Sequence, residues 1–160
     1  MVDADSLSEM LTELGPILEP AAILAATDTA SWTVAMSEDI GVEMRLDAET
    51  DLLVFEARVG PVSEAGDGII PRLLAFNADP VQHGGIWMSL DAPGGTVMQS
   101  KVCHGEQFDR YRLQNEIQSF IDQLRAWREL IPPPPDDGDA EVPEEPLGAD
   151  ERPGDDAVRV

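Results

Sequence analysis

Four consecutive prolines, Pro132 to Pro135, limit what this chain can fold into, because such a run continues neither a helix nor a central strand. From there on, residues 132–160 hold seven of the thirteen prolines and ten acidic residues against two arginines, with no aromatic side chain and no hydrophobic period. A segment of that composition cannot bury enough apolar surface to offset its ordering entropy. It reads as a disordered acidic tail, its first residues stiffened as polyproline II. The fold must therefore come from residues 1–131, the size of a single domain with a single core.

Within those residues the hydrophobic period changes twice. Ser6-Leu7-Ser8-Glu9 has the form of a capping box, and Leu7, Met10, Leu11 and Leu14 follow at helical spacing until Gly15-Pro16 stops or breaks the helix. The alanine-rich stretch 17–30 is compatible with a further helical turn or a loop. From Ser31 the period becomes two. A short run covers Trp32 to Met36, then Ile40, Val42, Met44 and Leu46 alternate with polar residues, and after a polar turn Leu53, Phe55, Ala57 and Val59 do the same. A short helix is expected over about 68–78, with Pro71 limiting how early it begins. A hairpin follows, from Ile86-Trp87-Met88-Ser89-Leu90 through Pro93-Gly94-Gly95 into 96–102. The last element is a long amphipathic helix carrying Leu113, Ile117, Phe120, Ile121, Leu124, Trp127 and Ile131 on one stripe. The order helix, three strands, helix, two strands, helix specifies an α+β fold, an antiparallel sheet packed by helices.

Composition narrows the function. Thirty-two acidic residues against ten basic ones give a formal net charge of −22, which repels phosphate backbones and anionic lipid, so no nucleic-acid partner is expected. The excess serves either solubility or the rejection of wrong partners. No apolar run approaches the roughly 20 residues of a membrane span, so no membrane insertion is expected. The acidic start Met-Val-Asp-Ala-Asp is unlike a signal peptide, and the single cysteine, Cys103, suits a reducing compartment. A cytosolic protein is expected.

Catalytic patterns are scarce. His83, Cys103 and His104 match no zinc spacing, and nothing around Cys103 activates it as a nucleophile. Carboxylate pairs such as Glu38-Asp39 and Asp136-Asp137 are too common in so acidic a chain to mark a general acid and base. Gly84-Gly85 and Gly94-Gly95 lack the Lys-Ser/Thr of a phosphate loop, and Lys101 is the only lysine. Arg110 and Arg112, like Arg125 and Arg128, are placed to pair with acids of the last helix. Neither an enzyme nor a cofactor is indicated.

The stretch Leu73-Leu74-Ala75-Phe76-Asn77-Ala78, with Gly84-Gly85-Ile86-Trp87-Met88-Ser89-Leu90-Asp91 after it, resembles the signature of class I type III secretion chaperones of the CesT/Tir-chaperone family. In that family a Leu-x-x-Asn helix end, a Gly-rich turn, an apolar strand and a hairpin lead to a long C-terminal helix. The chain departs from the family's usual sequence at Asp79-Pro80 and at Cys103-His104-Gly105. The resemblance implies a homodimer that holds a non-globular segment of a secreted effector in a secretion-competent state without catalysis. It further implies effector contacts through Leu7, Met10, Leu11, Leu14, Trp32 and Val34, and a dimer interface through Leu73, Leu74, Phe76, Ile86, Trp87 and Met88. The competing expectation for both sets is plain core packing. The competing function is a small acidic dimeric adaptor that binds a folded partner.

Overall fold

The structure is a computed structural model that describes residues 3–20, 22–26, 30–37, 39–104 and 108–133. Its elements run α1 (Ala4–Leu18), β1 (Ala22–Ala26), β2 (Ser31–Ala35), β3 (Gly41–Asp47), β4 (Leu52–Pro61), α2 (Ile69–Asn77), β5 (Ile86–Leu90), β6 (Thr96–His104) and α3 (Arg110–Leu130). The α+β class, the antiparallel sheet and the helices packed on it are as the sequence reads. One strand, β1, is added in the alanine-rich stretch, giving six strands in the order β1-β2-β3-β4-β6-β5, each antiparallel to its neighbours. The tail from residue 134 onward lies outside the described residues.

Helix α1 begins three residues before the capping box. Asp3, not Ser6, is the N-cap: its carboxylate accepts the Ser6 amide at 2.7 Å, and that hydrogen bond holds the Asp3 carboxyl below its ordinary range. Nor does Gly15-Pro16 break the helix, which continues to Leu18 and ends on Glu19 in the left-handed region, its N–H donated to Gly15 O. The ring of a proline clashes with the Cβ of the preceding residue in helical conformation, and Gly15 has no Cβ to offer. Pro71 sits in the first turn of α2, where its missing N–H costs no helical bond.

All three helices serve one face of the sheet. Val34, Val42, Met44, Leu53, Phe55 and Val97 point into a core closed by Leu7, Leu11 and Leu14 of α1 and by Leu113, Ile117, Phe120, Ile121 and Leu124 of α3. Burying a side chain of this size contributes about 1.5–3 kcal/mol, so this layer dominates stability. On β6 the inward face is mixed: Gln99 and Lys101 point inward between Val97 and Cys103, while Met98 and Val102 point out. The polar pair is accommodated because α3 supplies partners. Gln99 donates Nε2–H to Phe120 O at 2.8 Å, and Lys101, 5% exposed, forms an ion pair with Glu116. Arg128 of α3 donates to Arg58 O at 2.8 Å and to Asp39 O, tying the helix end to β4 and to the β2–β3 loop. The chain then leaves α3 across Gly60, where a Cβ would lie 2.6 Å from Ile131 O, so only glycine fits.

Candidate functional site

The two edges of the sheet are built differently. Between β2 and β3, Met36 N bonds Ile40 O and Leu46 N bonds Ala30 O, so the even-numbered residues of β2 turn their backbone groups to β3 and the odd-numbered ones to β1. The register Thr33↔Leu24 then directs Ala22, Leu24 and Ala26 toward β2, leaving the N–H and C=O of Ile23 and Ala25 on the outer edge. Among the described residues no hydrogen bond reaches those four groups.

At the other end, Met88 N and O also face outward, but Asn77 occupies them. Its side-chain amide donates Nδ2–H to Met88 O and accepts Met88 N–H at Oδ1, both at 2.8 Å, standing in for one residue of a neighbouring strand. His83 O accepts Ile86 N–H at 3.2 Å, and α2 packs over the same strand.

Beside the open edge runs a groove of about 450 Å³, lined by Ser8, Leu11, Thr12 and Gly15 of α1, by Pro20, by Ile23 and Ala25 of β1, and by Trp32 of β2. Trp32 donates its indole N–H to Ser8 Oγ at 3.0 Å, and Thr12 donates its hydroxyl to Ser8 O at 2.8 Å. These bonds hold the groove wall in place and consume polar groups that would otherwise project into it. Apart from Leu11, the residues of α1 that meet the groove are small, which leaves space over the Ile23 and Ala25 side chains. On the opposite face of the sheet Leu24 is 62% exposed.

The residues expected to contact an effector divide accordingly. Leu11 and Trp32 line the groove, Met10 is half-buried, and Leu7, Leu14 and Val34 are sealed in the core of the monomer. Ser8, Thr12, Gly15, Ile23 and Ala25, which complete the groove, were not singled out by hydrophobic pattern because three are polar or lack a side chain. The residues expected at a dimer interface divide likewise. Leu73, Phe76, Ile86 and Met88 are buried in the monomer, Trp87 is half-buried on the helix-free face, and Leu74 is 67% exposed. Ile70, one turn before Leu74 on α2, is exposed too, and so is Val81 beyond the helix.

The groups considered for chemistry are placed as structure. Cys103 is buried on β6, and burial, with Glu116 adding to it, pushes its thiol up to about 11. A thiol so protonated at neutral pH is a poor nucleophile. His83 stacks on Phe76 at 3.9 Å, and Phe76 meets Trp127 edge-on at 5.3 Å, which makes an aromatic cluster under the α2–β5 turn. Among the described residues no group of three or more His, Cys, Asp or Glu could hold a metal ion, and no helix is long and apolar enough to cross a membrane.

The model of the Tir chaperone protein (CesT) family matches residues 9–128, which is most of the chain and spans every element from α1 to α3. The chain belongs to this family. No curated protein sequence matches it. Solved structures give the same fold. It is similar to a chain of the ExsC–ExsE complex, at 21% identity with TM-score 0.70, covering 82% of this chain and 98% of that one. It is also similar to a chain of the HopA1–SchA chaperone–effector complex, at 20% identity with TM-score 0.63, covering 81% and 99%. A third likeness is to a chain in the structure of the Yersinia pestis type III secretion chaperone SycH with a fragment of YscM2, at 18% identity with TM-score 0.59, covering 75% and 98%. Each of those chains is spanned almost end to end, so the likeness covers the whole CesT domain and not a shared motif.

Proposed function

We propose that this CesT-family chain is a secretion chaperone that takes up a non-globular segment of a secreted effector as an added strand on β1, keeps it soluble and export-competent in the bacterial cytosol, and catalyses nothing. The observation that carries the reading is the unpaired edge of β1 lying beside an apolar groove. Strand addition draws its affinity from main-chain hydrogen bonds, which any sequence can make, and its selectivity from pockets for alternate side chains. Likeness to chains found in chaperone–effector complexes supports the same reading. The exposed apolar residues Ile70 and Leu74 of α2, with Val81 beyond it, are the proposed seat of a second copy, because exposed apolar side chains gathered on one helix are otherwise a liability on a small protein. Leu74 is thus retained from the expected dimer set, and Leu11, Trp32 and Met10 from the effector set.

The test is hydrogen exchange on the full chain, alone and in complex with its co-expressed effector, read together with native mass spectrometry. Expected are two copies holding one effector, slowed exchange at the amides of Ile23 and Ala25, and an effector segment that proteases cut only when it is released. If the effector stays folded and protease-resistant while Ile23 and Ala25 exchange as in the free protein, the chain is instead an adaptor for a folded partner.

A further inference from the structure

The open edge of β1 lies within reach of the chain's own tail. Resting on the strand-addition reading above, we propose that Val158-Arg159-Val160 occupies that edge when no client is bound, as a tethered stand-in that a client must displace. Three observations combine to give this occupant.

The first is what the edge accepts. A strand added to β1 bonds to the outward backbone groups of Ile23 and Ala25, whose side chains line the groove. Side chains at paired positions of a ladder share a face, whichever way the added strand runs. Two residues of that strand, separated by one, therefore enter the groove beside Leu11 and Trp32 and must be apolar. The residue between them falls on the helix-free face, level with the register row Leu24, Thr33 and Glu43. Glu43 lies directly opposite Glu56 on β4 and forms no ion pair among the described residues. Like charges so placed repel each other, and a base brought to this row is attracted.

The second is what the tail offers. Residues 134–160 lie outside the described residues, and their sequence has one place where two β-branched residues flank a base, Val158-Arg159-Val160. No proline occurs from Gly154 onward, so every backbone N–H there is free to join a ladder. The rest of the tail fits poorly. Val142 follows Glu141 and precedes Pro143, and Leu147 sits between Pro146 and Gly148. Proline brings no donor, glycine weakens a strand, and Glu141 would add a third carboxylate to the row of Glu43 and Glu56.

The third is reach. Helix α3 packs on the same face of the sheet as α1, and its end is fixed: Ile131 is buried against Gly60 of β4, and Arg128 donates to Asp39 O in the loop after β2. That loop follows Ala35, the register partner of Ala22 on β1. Strands β4 and β1 are three spacings apart, about 14 Å. A flexible segment of the length from Pro134 to Ala157 has an r.m.s. span of about 27 Å, so the tether crosses that distance without strain. Such a tether holds the segment at an effective concentration of about 1 mM.

The experiment compares three full-length chains by NMR hydrogen exchange and by anisotropy titration: the parent, Val158→Asp with Val160→Asp, and the charge-matched control Ala140→Asp with Val142→Asp. The probe is a labelled synthetic peptide, Thr-Val-Arg-Val-Thr between glycine spacers. A segment of about 0.1 mM intrinsic affinity held at about 1 mM weakens a competing ligand by about ten-fold. With Val158 and Val160 replaced, the amides of Ile23 and Ala25 should therefore exchange about ten-fold faster than in the parent, and the probe should bind about ten-fold tighter. The control should match the parent, and the ratio should not change on dilution. Equal acceleration in the control assigns the protection to the acidic tail at large, and a ratio that falls on dilution puts the segment on another molecule; either result overturns the proposal. Identical behaviour of the parent and the Val158, Val160 variant in both readouts also overturns it. Strand addition then stands if the probe still slows Ile23 and Ala25, and falls with the proposal if it does not.

Discussion

At one edge of the sheet, β5 is five residues long and lies under α2, with its outward N–H and C=O at Met88 held by the Asn77 amide. At the other, β1 is equally short, but among the described residues nothing pairs the outward groups of Ile23 and Ala25 beside a groove. Exposed strand edges invite pairing with other chains, and proteins usually blunt them. Here one edge is blunted and one is not. The asymmetry teaches that the open edge is not a general tolerance of unpaired backbone, because the same fold supplies a device that covers the middle of the other.

The comparison can be broken most forcefully from the open side. Ala25→Pro removes an outward N–H and leaves the β1–β2 ladder, which uses Leu24 and its neighbours at alternate positions, untouched. Effector capture should fall by a hundred-fold or so in a pull-down titration, given the lost Ala25 donor and a ring in the strand's path that pushes the added strand off its neighbouring bonds. The melting temperature should stay near that of the parent. Full capture by a folded Ala25→Pro variant would move the client elsewhere.

From the closed side, Asn77→Ala should unpair both backbone groups of Met88 in a half-buried setting, costing about 1–3 kcal/mol in a denaturant titration. It should also create a second sticky edge, visible as concentration-dependent association in sedimentation. A variant that loses stability but stays at the parent's association state would make Asn77 a packing residue and not an edge guard.

The smallest effect should treat both edges alike. Cys103 has an ordinary value of 9.0 and lies at about 11 in the fold, so the native state keeps its proton after the unfolded chain has released it. Unfolding then releases a proton above pH 9, and stability falls as pH rises from 9 toward 11, by up to about 2 kcal/mol, with no contribution at pH 7. The slope should be the same in the parent and in Ala25→Pro, and Cys103→Ala should abolish it. A slope that survives in Cys103→Ala belongs to another group.

Much of this was legible before folding. The period-two runs of β3 and β4 and the single stripe of α3 appear in the sequence as they do in space, because each has one face in the core and one in water, and burial selects residues face by face. Strand β1 was not legible. Ala22-Ile23-Leu24-Ala25-Ala26 has no alternation, and its residues become a strand because the odd-numbered backbone groups of β2 need partners. The groove was missed for a related reason: its wall is made of Ser8, Thr12 and Gly15, whose value lies in leaving space. Of the stripe that drew attention to α1, Leu7 and Leu14 are instead the anchor that fixes that wall over the sheet, while Leu11 both packs there and lines the groove.

What the sequence determined by itself was the set of elements with strong periodicity, the proline limit on the last helix, the acidity, and the Leu-Leu-Ala-Phe-Asn stretch that resembles the family. What only the tertiary structure decided was which strand became an edge, which edge was closed, and which face of β6 went inside. Each is a choice between partners distant in the chain: Asn77 reaching Met88, Ser8 meeting Trp32, and Glu116 receiving Lys101. Local pattern records whether a residue is buried, but hydrogen-bond pairing across the fold is settled only when the chain has brought the two groups together.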